Sequence, residues 1–300
     1  MSELETLWHR LLGPAQPGPL DWLDELDPRL HSLLPMLAIR EQHEHPRLTG
    51  LRRYYFTRTQ LVKQDLEEVA ELFAAVRWLA TGDAALMTQA YSDESWRPCL
   101  YLSVLITPEQ RWHCARLLEQ RGWSGGPPVA RPEEGSSCLY QRGQTPLVLR
   151  WHALTECRWS EADRGLLERA ESFHWLGRPL WRPCPSDALL LSLVRQEEPW
   201  WGVDAVQLNR RHPIDWELLA CEARRRRVAS QVRTGLQRLA PWSCNPPLSL
   251  DPDLFEQLGE WAVRFRLGFV REYLRGCPSR WADILVGLPG YLWRRVVSRW

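Results

Sequence analysis

The 300-residue chain carries 38 basic and 37 acidic side chains, for a formal net charge of +1. Its 44% apolar and 25% charged content is that of a globular protein with room for two modest domains. Near-neutral charge argues against a surface-wide field for nucleic acid, and no run of about 18 apolar residues is present to cross a bilayer.

The N-terminus is acidic and broken by prolines, which is not a secretory signal, so a cytoplasmic location is the simplest expectation. Leu4, Leu7, Trp8, Leu11 and Leu12 follow helical spacing up to the break at Gly13-Pro14. Residues 51–79 predict an amphipathic helix with a stripe of Leu61, Leu66, Val69, Leu72, Phe73 and Val76, ending near Thr81-Gly82. Residues 99–106 read as a buried strand bounded by Pro98 and Pro108. A helix over 108–121 follows, with Thr107 as cap and Pro108 at its first position. CLYQRG and TPLVLRWHA then read as two strands joined at Gly143. From residue 160 onward helices are predicted, among them 160–171, 186–196 and a long one over 212–240, with two more after a proline-rich break.

All but one of the basic residues are arginine, the exception being Lys63, so Schiff-base or phosphate-lysine chemistry has a single candidate. Eighteen tryptophans are spread along the chain and read mainly as packing anchors. The eight cysteines form no C-x-x-C, which excludes a zinc ribbon, and they read as reduced thiols. His43 and His45, in a polar loop, are the one close histidine pair. The block Arg224-Arg225-Arg226-Arg227 spans too much of a helix to share one face, and reads as a solvated, salt-bridged surface or an anion or partner surface.

No G-x-G-x-x-G, P-loop, H-E-x-x-H or G-x-S-x-G occurs. The order of pieces says more. A helix leads to L-x-T-G-D-A-A-L, then YSDESWRP, strand LYLSVLI and helix PEQRWHCARLLEQRGW. Strand LVLRWHA comes next, followed by PSDALLLSLV and HPIDWELLACEARRRR. Over about residues 50–240 this succession resembles the uncharacterised bacterial nucleotidyltransferases of the polymerase-β-like superfamily.

The resemblance implies an α+β fold, with a small mixed sheet flanked by helices and a mainly helical C-terminal region. The expected divisions are residues 1–50, 51–158 and 159–300. In the family, two aspartates on one strand and a third carboxylate on a later strand hold divalent metals. Those positions fall on Tyr101, Ser103 and Val148. Arg97, Pro98, Gly82 and Trp151 match scaffold positions, Asp204 and Asp215-Trp216 match the helical part, and the family histidine falls on Arg150.

The reading is therefore a pseudoenzyme: no metal ligand and no cofactor expected, and an accessory or binding role with an unidentified protein partner. Such families sit beside peptide-modification or surface-polysaccharide functions. Arg97 and Arg150 are the candidate anion-binding residues, unless they pair with Asp93, Glu94 or Glu156. The alternative is an active enzyme using Asp83, Asp93 or Glu94 with Mg²⁺ and a nucleoside triphosphate. A third reading makes the aromatic, basic segment 281–300 a membrane-surface or scaffold element, although Trp293 is expected to pack within the protein.

Overall fold

The computed structural model describes residues 2–14, 18–42, 45–159 and 161–242. His43, the helices expected after residue 250, the 281–300 segment and Trp293 lie outside them. Helix α1 (Glu3–Leu12) starts at a capping box, in which the Ser2 hydroxyl accepts from the Glu5 amide and the Glu5 carboxylate accepts from the Ser2 amide. After α2 (Leu34–Arg40), α3 runs from Pro46 to Leu72. It is shorter at its C-terminus than expected, because residues 78–81 form strand β1 (Trp78–Thr81). Their unbroken apolar run continues the helical stripe, and periodicity cannot separate a buried strand from a helix there. The expected division at residue 50 falls inside this continuous helix.

Next come α4 (Asp83–Ala90), β2 (Leu102–Ile106), α5 (Arg111–Gln120), β3 (Ser124–Gly125), β4 (Ser137–Arg142) and β5 (Thr145–Arg150). A single 3-10 turn over Pro108–Gln110 precedes α5, and the Thr107 hydroxyl donates to the Gln110 side chain instead of capping a backbone amide. The five strands form one mixed sheet in the order β1-β2-β5-β4-β3. Strands β2 and β5 are parallel, and the other neighbours are antiparallel. Parallel neighbours require a crossover, which α5 and the β3-β4 arm supply.

Alternate residues divide the sheet. Ala80, Leu102, Val104, Tyr140, Leu147 and Leu149 enter the core with Val62, Leu66, Val69 and Phe73 of α3 and Cys114, Ala115 and Leu118 of α5. Tyr101, Ser103, Leu139, Val148 and Arg150 alternate with them and belong to the other face.

The segment after residue 160 is less helical than expected. Short α6 (Arg164–Glu168) precedes a hairpin of β6 (Glu171–Trp175) and β7 (Arg178–Arg182). Leu176 and Gly177 both have positive φ, 47° and 83°, the pattern of a type I′ turn. Helices α7 (Pro185–Val194), α8 (Trp201–Arg211), α9 (Trp216–Arg225) and α10 (Ala229–Leu239) complete the described chain. The long helix expected over 212–240 is two helices, because the backbone reverses at Arg227, φ 61°.

Arg225 is exposed and pairs with Glu222, and Arg227 lies over Trp159, so the four-arginine block is salt-bridged and partly solvated, except for Arg226, which is fully buried. Trp8 packs edge-on against Trp201 and Trp242, tying α1 to α8 and the end of α10. The cysteines at 99, 114, 138, 157, 184 and 221 are free thiols. Among the described residues no helix is long and apolar enough to cross a membrane.

Candidate functional site

A cleft of about 920 Å³ opens on the sheet face opposite the core. Tyr101, Leu139, Pro146, Val148 and Arg150 form its floor, and the 197–200 segment and residues of the N-terminal segment form its walls. Ser103 lies directly opposite Val148 in the β2-β5 register, and Tyr101 is two residues before it on the same side. Of the three positions that the resemblance assigns to metal ligands, Tyr101 and Val148 therefore line this floor, and Ser103 is buried beside them.

None of the three carries a carboxylate. Burial pushes the Tyr101 phenol well above its ordinary value, and its hydroxyl donates to Glu198 at 3.4 Å. The Ser103 hydroxyl lies 2.8 Å from that of Thr81 and accepts from Arg150 Nε at 3.1 Å. Val148 offers no donor atom. Hard cations such as Mg²⁺ are held by anionic oxygens, so these residues do not fit the ions that the fold implies. Among the described residues no group of three or more His, Cys, Asp or Glu side chains is placed to hold a metal.

Gly82, between β1 and α4, has φ +61°, and a Cβ there would lie 3.1 Å from Tyr101 Oη and 3.3 Å from Ser103 Cβ. Gly82→Ala combines backbone strain with crowding of the floor. It is expected to cost about 1–3 kcal/mol, measured by denaturant unfolding.

Arg97 is 1% exposed and does not face the cleft as a free cation. Its Nη2 donates to Asp83 at 2.8 Å, its Nε to Asp204 at 3.0 Å, and its Nη1 to the Pro98 carbonyl at 2.7 Å. The guanidinium also stacks 4.5 Å from the Trp200 ring centroid. Burial alone would lower its pKa, but Asp204 and Asp83 win and hold it charged. The expectation that Arg97 pairs with Asp93 or Glu94 is corrected: its partners are Asp83 from α4 and Asp204 from α8. Tyr91 adds a hydrogen bond to Asp204 at 2.7 Å, and Asp83 also accepts from the Leu100 amide at 2.9 Å.

The other two candidate carboxylates are elsewhere. Asp93 caps the short turn at Glu94–Trp96, accepting from the Ser95 amide, and Glu94 pairs with Lys63. Neither lines the cleft. Arg150 does, and no carboxylate lies within ion-pair distance of it among the described residues. Burial, with Arg195 nearby, depresses its pKa to about 10. Glu198 was not singled out from sequence; burial pushes its carboxyl up. The tract Glu197-Glu198-Pro199-Trp200, acidic and aromatic between two helices, was the available signal.

The family model for "Uncharacterised nucleotidyltransferase" matches residues 24–243. The chain belongs to this family. No curated relative matches it. Two solved structures are similar at low identity. The antibiotic-resistance factor ANT(2'')-Ia aligns at 12% identity and TM-score 0.39, over 73% of this chain and 99% of its own. An antigenic nucleotidyltransferase-like protein from Paracoccidioides brasiliensis aligns at 14% and 0.39, over 67% of this chain and 91% of its own.

Proposed function

We propose that this chain is a family member that has lost nucleotidyl transfer. It works as a cytoplasmic binding or accessory protein with a protein partner, in a peptide-modification or surface-polysaccharide setting. The observation that carries this reading is the set of polar groups at the cleft floor. Asp83, at its inner end, and the buried Asp204 are bonded to the Arg97 guanidinium, and Tyr101, Ser103 and Val148 supply no carboxylate in their place. A metal at this floor would have to strip Arg97 of its partners, leaving a buried charge uncompensated.

Thermal-shift titration of the full chain with Mg²⁺ and each nucleoside triphosphate tests it. The melting temperature is expected to stay unchanged when metal and nucleotide are added together. A ligand at a hundred times its dissociation constant would stabilise by about 2.7 kcal/mol. A rise of that size that needs both components would overturn the reading.

A further inference from the structure

We infer that the cleft takes a small amphiphilic oxyanion, held without metal, with its head on Arg150 and its apolar body along Val148, Pro146 and Leu139. This rests on the reading that metal-dependent transfer is lost. Arg150 Nε is spent on the Ser103 hydroxyl, which leaves the Nη edge of the guanidinium toward the cleft. That edge matches a carboxylate or phosphate with two parallel hydrogen bonds. A partly desolvated cation with no acid in ion-pair range is the group that gains most from an incoming anion.

Of the acids around the cleft, Glu197 and Glu198 act on Arg150 only from beyond ion-pair distance, Glu3 accepts from the Asp27 amide, and the others are engaged elsewhere. Asp83 serves Arg97, Asp27 holds Arg29, and Glu198 accepts from Tyr101.

The body follows from strand geometry. Arg150, Val148 and Pro146 alternate along β5 on one face, so the apolar strip reaches a backbone distance of about 13 Å from Arg150. Leu139 lies opposite Val148 in the β4-β5 register and is 58% exposed, an unusual position for a large apolar side chain inside a cleft. At about 920 Å³ the cleft is at the upper end of the small-molecule range. A bare inorganic ion would use the cation and leave this strip wet.

Calorimetry on the full chain in EDTA tests the inference, with octanoate, octyl phosphate, octan-1-ol and inorganic phosphate as probes. At least one of octanoate and octyl phosphate is expected to bind one-to-one, and the tighter of the two names the head group. Octan-1-ol and inorganic phosphate should each bind at least tenfold more weakly. Arg150→Gln should weaken the amphiphile at least tenfold, Arg150→Lys should retain part of the affinity, and Leu139→Gln should weaken it several-fold with an unchanged melting temperature. Absence of binding by both amphiphiles in EDTA, or equal affinity in Arg150→Gln and Leu139→Gln, would overturn the inference. Binding that appears only with Mg²⁺ would overturn the underlying loss of metal chemistry as well, so the two failures are distinguishable.

Discussion

Arg97→Met is expected to cost about 3–5 kcal/mol, a large part of the 5–15 kcal/mol that holds a typical domain folded. The loss is not the guanidinium's own attraction but the two carboxylates left behind it. Asp83 and Asp204 are both buried and depend on Arg97 for compensation, with only the Leu100 amide and the Tyr91 hydroxyl remaining. Chemical denaturation of the variant should show the loss. Adding Asp83→Asn and Asp204→Asn to it should recover part, because neutral amides need no counter-charge. The sign with pH is set as well. Burial already pushes the Asp204 carboxyl up against the pull of Arg97, and loss of the guanidinium pushes it further, so in Arg97→Met the folded protein binds more protons and stability falls as pH rises. The variant should therefore melt higher at pH 5 than at pH 7.

Arg226→Met is expected to cost about 3 kcal/mol or more, by the same reasoning at the junction of α9 and α10. Arg226 is fully buried and bonds Asp163 at 2.6 Å and Glu222 at 3.1 Å. Glu222 keeps Arg225 and Arg169, so Asp163 bears most of the loss. In the intact protein burial works to raise both carboxyls. For Asp163 the bonds from His152 and Arg226 outweigh it, and for Glu222 those from Arg225 and Arg226, so both sit below their ordinary values. Their contribution is present above the unfolded carboxylate range, about pH 4, and is lost as pH falls through the lower folded values. Acid unfolding of the wild type below that pH, with a shallower acid limb in Arg226→Met, is the expected profile.

Much of the sheet could be read from the chain, and the reasons are local. Residues 102–106 are an apolar run bounded by prolines 98 and 108, and Gly143 marks the turn between β4 and β5. The β1 strand was hidden because Trp78–Thr81 continues the apolar stripe of the preceding helix without a glycine or proline between them. The β6-β7 hairpin was hidden because Leu176 occupies a turn position that glycine or asparagine normally announces. Gly177 and the alternation of Phe173 and Trp175 were the signals available.

At the cleft, the resemblance picked out Tyr101, Ser103 and Val148, and strand alternation put Tyr101 and Ser103 on one face. The role of Arg97 was not legible in this way, because its partner Asp204 is 107 residues away and only the packing of α8 brings it there. Asp83 is nearer in sequence, but its first helical turn gives no hint that the carboxylate faces inward.

The proposed function requires that a sheet of the family's architecture bind no metal at its cleft floor. Calorimetric titration of Mn²⁺ into the full chain, alone and with a nucleoside triphosphate present, tests this most directly. The expected result is no saturable heat at the cleft in either experiment. A one-to-one Mn²⁺ transition that tightens when the triphosphate is added would contradict it.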